Sequence, residues 1–293
     1  MNWETLAQHI GDALGEPFSI EQRSSVGGGC INEAWRLRGA QRDCFVKFNS
    51  ADKLDMFEAE AEGLAAMAEA EAVRVPAPIC TGRLDGQAFI AMEYLDMGAG
   101  GGGAAMAQLG RELADMHRHT RSRFGWHRDN TIGATPQPNE ENPDWLAFWR
   151  EQRLGYQLRL AQRRGIGHRV LDKGERLLAD LEAFFTDYRP EASLLHGDLW
   201  SGNYGVTREG APVIFDPAVY FGDREADMAM TELFGSFGRV FYDAYNEAWP
   251  LDAGYRVRRT FYNLYHILNH FNLFGGGYAT QAESMMDTLL AEI

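Results

Sequence analysis

Residues 196–203 read His-Gly-Asp-Leu-Trp-Ser-Gly-Asn, and thirteen positions beyond Asn203 a second carboxylate, Asp216, closes the apolar run Val213-Ile214-Phe215 and precedes Pro217. A carboxylate, an amide five residues later and another carboxylate at a strand end suit phosphoryl transfer. That chemistry asks a protein for positioning and charge more than for covalent work. Asp198 would accept the proton of an attacking hydroxyl. Asn203 and Asp216 offer hard oxygen ligands of the kind Mg²⁺ takes when waters and phosphates complete its shell. Taken singly, each has a plainer structural reading: a turn-capping Asp, a turn Asn, a strand-end Asp. Their joint spacing between apolar flanks carries the chemical one.

The upstream half supplies complementary parts. Val26-Gly27-Gly28-Gly29-Cys30-Ile31-Asn32-Glu33 lies between two strand-like pieces. Its glycines would let backbone N–H groups approach a triphosphate with no Cβ in the way, although a glycine-rich hairpin turn has the same letters. Cys30 falls inside this loop, where oxidation of a thiolate would obstruct a nucleotide. Lys47 stands in the otherwise apolar strand Cys44-Phe45-Val46-Lys47-Phe48 and needs a charge partner if buried. Glu58, Glu60 and Glu62 cannot all face it, because residues two apart on a helix point in different directions. One of them should pair with Lys47, and the other two read as solvated.

The elements that must position these residues fall into two blocks. A first helix (about 2–14) precedes strand-like pieces at 18–25, 33–38, 44–48 and 88–94, with a helix over 56–72 built from strong helix formers. The run Gly98-Ala99-Gly100-Gly101-Gly102-Gly103 cannot pack and is costly to order, so the domain boundary is placed there: residues 1–97 and 98–293. Beyond it, helices are expected at 106–119, 144–163, 173–188, 226–237 and 255–274, with a last one ending near 291. Two short apolar pieces, 194–196 and 213–215, interrupt them, and each leads into one of the carboxylates.

The 293 residues are long enough for about two domains and carry 28 Lys and Arg against 42 Asp and Glu, a net charge of −14. With no basic stripe, this balance disfavours nucleic-acid partners. No run approaches a membrane span, and the first residues are acidic and amphipathic where a signal peptide would be basic and then apolar. Three cysteines without paired or metal-ligand spacing argue against a disulfide framework and a zinc site. A cytoplasmic protein with no membrane or nucleic-acid partner is the expectation.

Together, HGDLWSGN with FDP, GGGCINE, FVKFN and FEAEAEGL resemble the fructosamine-3-kinase (ketosamine kinase) family, a branch of the protein-kinase-like and aminoglycoside phosphotransferase-like enzymes. FGWHRDNTIGATPQPN (124–139) and DPAVYFGDREADMAM (216–230) extend the resemblance over nearly the whole chain. It implies an α+β, bilobal protein-kinase-like fold, with a small β-rich amino-terminal lobe of antiparallel sheet plus one helix and a larger, mainly helical carboxy-terminal lobe. It further implies ATP and Mg²⁺ as cofactors. Gly27, Gly28, Gly29 and Cys30 would cradle phosphate, Glu60 would pair with Lys47, and Met92, Glu93, Tyr94 and Leu95 would form an adenine-binding hinge. Asp198 would be the base and Asn203 and Asp216 the metal ligands. The implied reaction phosphorylates the 3-hydroxyl of a ketoamine on a small amine or a glycated protein lysine, after which the phosphate is eliminated and the amine regenerated.

Departures from the protein-kinase pattern narrow the reading. GGGC replaces GxGxxG, HGD replaces HRD and FDP replaces DFG, with no APE element; Pro217 restricts Asp216, so a flipping activation loop is not expected. Trp200, two residues from Asp198, could stack an indole face on a sugar or a cationic amine, or simply fill the core. Alternatives stay open: a kinase of another amino-alcohol, such as an aminoglycoside or choline-like amine, or a nucleotide-binding protein without turnover. Among the histidines, His266 and His270 have i, i+4 spacing but no further ligand nearby, which favours packing over metal. His117 and His119 should complement helix-end carbonyls, and His196 should brace the loop.

Overall fold

A computed structural model describes residues 1–27, 32–98 and 102–293. Two compact units make up the chain, Met1–Ala105 with Gly205–Pro217, and Met106–Tyr204 with Ala218–Ile293. The loop residues Gly28, Gly29 and Cys30 and part of the glycine run lie outside the described residues.

The first unit opens with α1 (Trp3–Leu14), capped by the Asn2 side chain on the Thr5 amide at 3.1 Å and ended by Gly15 in the left-handed region. Strands β1 (Ile20–Val26), β2 (Glu33–Gly39), β3 (Asp43–Ser50), β4 (Pro78–Leu84) and β5 (Gln87–Glu93) form an antiparallel sheet of order β1-β2-β3-β5-β4. Helix α2 (Leu54–Glu69) packs on β4 and β5. Strand alternation decides what faces what. Cys44, Val46 and Phe48 of β3 join Leu6 and Ile10 of α1, Leu37, Phe89 and Ala91 in one apolar core, so Lys47 is turned to the opposite face. Residues 205–217 belong to this unit through hydrogen bonds from Gly98 N to Val206 O (2.8 Å), Arg208 N to Asp96 O (3.0 Å) and Ile214 N to Arg74 O (3.0 Å). That segment was not assigned to the amino-terminal block from sequence, because its tie to the sheet is made across more than a hundred residues.

The second unit is mostly helical. In chain order it has α3 (Gly103–His117), β6 (Thr120–Arg121), the hairpin β7 (Asn130–Ile132) and β8 (Thr135–Gln137), α4 (Trp145–Phe148), a π-helical turn Trp149–Leu154, α5 (Gly155–Arg163), α6 (His168–Ala179), a 3₁₀ segment Leu181–Phe185 and β9 (Ala192–Leu195). Strands β10 (Tyr204–Val206) and β11 (Pro212–Ile214) pair with each other within the segment that belongs to the first unit, and β12 (Tyr220–Gly222), α7 (Glu225–Met230), α8 (Arg239–Ala248), α9 (Tyr255–Phe274) and α10 (Tyr278–Leu290) complete the second unit. A small sheet, β12-β9-β6, carries the catalytic-type loop at the end of β9. Helix α9 is buried along most of its length and packs Phe261, Tyr262 and Tyr265 against Trp149, which makes it the spine of this unit.

The expected mixed architecture, antiparallel sheet first and helices after, is the one observed. Individual elements differ. The expected helix 226–237 stops at Met230, and α8 follows beyond Gly238, whose φ of 87° is open to glycine and costly for other residues. The expected helix 173–188 is α6, beginning earlier at His168 and ending at Ala179, plus a 3₁₀ turn. Strand β4 escaped notice because Pro78 and Gly82 both read as breakers. Its proline is accommodated as the first residue of the strand, at the sheet edge.

Candidate active site

In the first unit, Lys47 is the centre of a charged cluster. Its side chain is buried, and its ammonium donates to Glu60 Oε1 at 2.7 Å and also to Asp216 Oδ1. Burial pulls the Lys47 pKa down, but the charges of Glu60 and Asp216 outweigh it and hold the amine firmly protonated. Glu60 holds its place because it shares a helical stripe with Phe57, Leu64 and Met67, all fully buried on α2. That spacing is a sequence signal that selects Glu60 from its two neighbours. Glu58 and Glu62 are half-buried, not solvated as expected.

Asp216 follows β11 and has φ 57°, whereas a residue before proline is normally extended. A non-glycine residue in the left-handed region stores strain of order 1–3 kcal/mol, and Asp is among the few types that tolerate it. The turn presents a carboxylate that is 47% exposed while one oxygen stays on Lys47.

Of the other residues singled out from sequence, Gly27 ends β1 in the open, where a Cβ would touch nothing within 4 Å. Asn32, on the far side of the glycine loop, accepts from Asn49 Nδ2 at 2.7 Å. At the end of β5 the segment Met92 to Leu95 is partly committed. The Glu93 amide donates to Ala77 O (2.8 Å) and the Tyr94 amide to Asp43 O (3.4 Å). The Glu93 carboxylate pairs with Arg74, and the Arg36 guanidinium lies 4.1 Å from the Tyr94 ring centroid.

The second unit fixes its loop differently. Gly197 has φ 81°, and a Cβ there would lie 2.1 Å from Ala218 O, so the HGD turn admits no side chain at its middle position. The His196 and Gly197 amides donate to the two oxygens of the buried Asp227 carboxylate at 2.7 and 2.8 Å. Burial works to raise the Asp227 pKa, yet hydrogen bonds from His117 and the Gly197 amide hold it below the usual carboxylate range. His196 is fully buried and its Nδ1 accepts from the Asp198 amide at 3.2 Å, so this ring braces the turn. Asn203 Nδ2 donates to Asp198 O at 2.9 Å and to Asp198 Oδ2 at 3.3 Å. One amide thus orients the carboxylate and the turn together.

Trp200 is 36% exposed and is therefore not a core tryptophan. Its ring lies over Gly202, where a Cβ would come within 2.3 Å of the indole. Its edge meets Phe234 (6.3 Å between centroids), and Phe234 in turn contacts His270 (4.5 Å), which neighbours Phe274 and Tyr278. The i, i+4 histidines form part of this aromatic surface and of the core beside it; burial lowers the His266 pKa to about 3. Among the described residues, no three His, Cys, Asp or Glu side chains gather in a metal-holding group. His117, expected to meet helix carbonyls, instead lies fully buried with its ring on Tyr245 and Asp227. Asp227, Phe234 and Tyr245 were not singled out from sequence, since nothing in their local spacing separates them from ordinary helix residues.

The model of the fructosamine kinase family matches residues 2–292. The chain belongs to this family. A "Probable ketoamine kinase" of Synechocystis sp. is 48% identical to this fructosamine kinase family member, covering 98% of this chain and 97% of its own. A chloroplastic protein-ribulosamine 3-kinase of Arabidopsis thaliana is 46% identical over 94% of this chain and 85% of its own. Among solved structures, a "Putative fructosamine-3-kinase" of Haemophilus somnus superposes with a TM-score of 0.89 at 28% identity, covering 98% of this chain and 97% of that one. As a fructosamine kinase family member the protein is a phosphate-transferring enzyme with the kinase-like fold, as its motifs led one to expect. Among its described residues, no helix is long and apolar enough to cross a membrane.

Proposed function

We propose that this enzyme transfers the γ-phosphate of ATP to the 3-hydroxyl of a ketoamine, on a small amine or on a glycated protein lysine, with Asp198 as general base. The observation that carries the proposal is the state of Asp198: its carboxylate is oriented by Asn203 and its turn is clamped by Asp227, with the exposed Trp200 two residues further on. A carboxylate held this way can take the hydroxyl proton as the oxygen attacks, without reorganising. Trp200 and the ring of Phe234 offer the apolar face of a sugar a stacking surface, and a cationic amine can also lie against that aromatic density. Once the 3-position carries phosphate, elimination expels inorganic phosphate and hydrolysis of the remaining carbon–nitrogen bond frees the amine.

Lys47, held charged by Glu60, would bind nucleotide phosphate oxygens, with the glycine loop of Gly27 to Cys30 covering them. The adenine edge would be read by the Leu95 amide, since those of Glu93 and Tyr94 already donate to Ala77 and Asp43. The Asp216 carboxylate and the Asn203 side-chain oxygen are each hard donors that would suit Mg²⁺, an ion that takes one or two protein oxygens and completes its shell with phosphates and water. Bound there, Mg²⁺ would neutralise charge on the phosphates. The nucleotide domain would then comprise residues 1–97, with residues 98–293 carrying the catalytic and acceptor groups, in a cytoplasmic enzyme.

An acceptor screen with ATP and Mg²⁺ over ribuloselysine, fructoselysine and kanamycin tests the reading. Phosphate transfer to one or both ketoamines and not to kanamycin is expected. Turnover with kanamycin alone, or ATP binding without transfer to any ketoamine, would overturn it.

A further inference from the structure

Behind the catalytic-type loop runs a buried chain of polar groups that no step of the reaction uses directly. Arg224 NH1 donates to the Tyr245 hydroxyl oxygen at 3.0 Å; the same hydroxyl lies 2.8 Å from His117 Nδ1; and His117 Nε2 lies 3.2 Å from Asp227 Oδ2. Arg224 is anchored in turn, its guanidinium donating to Trp249 O and Pro250 O and stacked 4.0 Å from the Trp249 ring centroid. His117 and Tyr245 are fully buried and Asp227 and Arg224 nearly so.

Donor counting fixes the protons along this chain. A guanidinium only donates, so the Tyr245 oxygen is an acceptor toward Arg224 and its one proton must go to His117. His117 Nδ1 is then the acceptor, the ring proton sits on Nε2, and it is donated to Asp227. An imidazolium would place a second donor against the Tyr245 hydroxyl and leave the phenolic proton with no acceptor. Burial, opposed by Asp227, independently favours the neutral ring; the other charged groups facing it are Arg224 and Asp223.

We infer that His117, locked by Tyr245 and Arg224 as the neutral Nε2–H tautomer, is a positioning residue that keeps Asp227 turned toward the His196 and Gly197 amides and thereby sets the place of Asp198. Asp227 has three donors to satisfy with two oxygens: the His196 amide and His117 share Oδ2, and Gly197 takes Oδ1. Without the imidazole donor the carboxylate keeps its two amide partners but loses the side-chain anchor that fixes its angle, and the turn that carries the base shifts with it. This inference rests on Asp198 being the base, and it assigns work to residues on α3 and α8 that touch no substrate.

The test combines spectroscopy with kinetics. Long-range ¹H–¹⁵N NMR of histidine-labelled full-length protein, with His117→Gln identifying the signal, should show the neutral Nε2–H pattern at pH 7. Tyr245→Phe should lower kcat about tenfold and leave the KM for ATP within about twofold. His117→Gln, which can still donate to Asp227, should keep more of kcat than His117→Leu when both are assayed well below their melting temperatures. An Nδ1–H or imidazolium signal would overturn the inference. So would Tyr245→Phe and His117→Leu proteins that melt earlier yet turn over at the native rate. Asp198→Asn is the control: normal turnover in that variant would sink the base assignment, while the NMR pattern would still report on the buried chain.

Discussion

The two charged regions of this enzyme are built on opposite principles. Around Lys47 the holding forces run between side chains of opposite charge, Glu60 and Asp216, and one partner stands on a strained, half-exposed turn. Around Asp198 the backbone itself is held: two amides on Asp227, a third on His196, and the Asn203 amide on the peptide oxygen of Asp198. On the proposed reading, the ion pair at Lys47 would be exchanged when a nucleotide binds, the ammonium trading a carboxylate for a phosphate oxygen. A backbone clamp cannot be traded in this way, and the proposed proton acceptor Asp198 would gain from being held in place.

That contrast can be broken at either end. The largest effect is expected from Asp198→Asn, which keeps the shape of the loop and removes the proton acceptor. Its kcat should fall by a factor on the order of 10²–10⁴ with ATP affinity preserved, as measured by steady-state kinetics beside nucleotide titration. Lys47→Met should cost about 10²-fold in kcat/KM and should raise the KM for ATP. Asp216→Asn should shift the Mg²⁺ titration to higher concentration, and an unchanged metal curve would contradict its role as ligand. A smaller effect is expected at Trp200→Ala: about a tenfold rise in the KM for a ketoamine, matching the 0.5–1.5 kcal/mol of an aromatic contact, with the KM for ATP unmoved.

The smallest effect concerns stability. Buried His266 has its pKa lowered from 6.5 to about 3, so the unfolded chain binds the proton more readily than the folded one. Its contribution is complete above about pH 6.5 and is lost as the pH falls toward 3, at up to about 1.4 kcal/mol per pH unit. Denaturant titrations from pH 7 to 5 should show this decline, and His266→Gln should flatten it.

How far the sequence revealed all this depended on the range of the interaction. The lysine strand, the α2 helix and the HGD and FDP turns are local patterns, and α9 was placed correctly from its apolar density over 255–274. Asp227 lies 31 residues from His196, and His117 is 128 residues from Tyr245. In one dimension such residues look like ordinary polar positions of helices, and the sequence alone places His117 as a helix-end group complementing carbonyls. Only packing against α8 and the start of α7 turns them inward. Trp200 shows the reverse case, where the motif alone left platform and core filler both open and its exposure rules out core filler.

The bare carbon of Gly202 beneath the Trp200 ring has an evolutionary and practical corollary. The height of the indole is set there by a single hydrogen atom, so even an alanine would push the ring up and tilt it. On the proposed acceptor role of Trp200, a one-carbon wedge at Gly202 would alter the fit of bulkier or slimmer adducts without touching the residues proposed to handle phosphate.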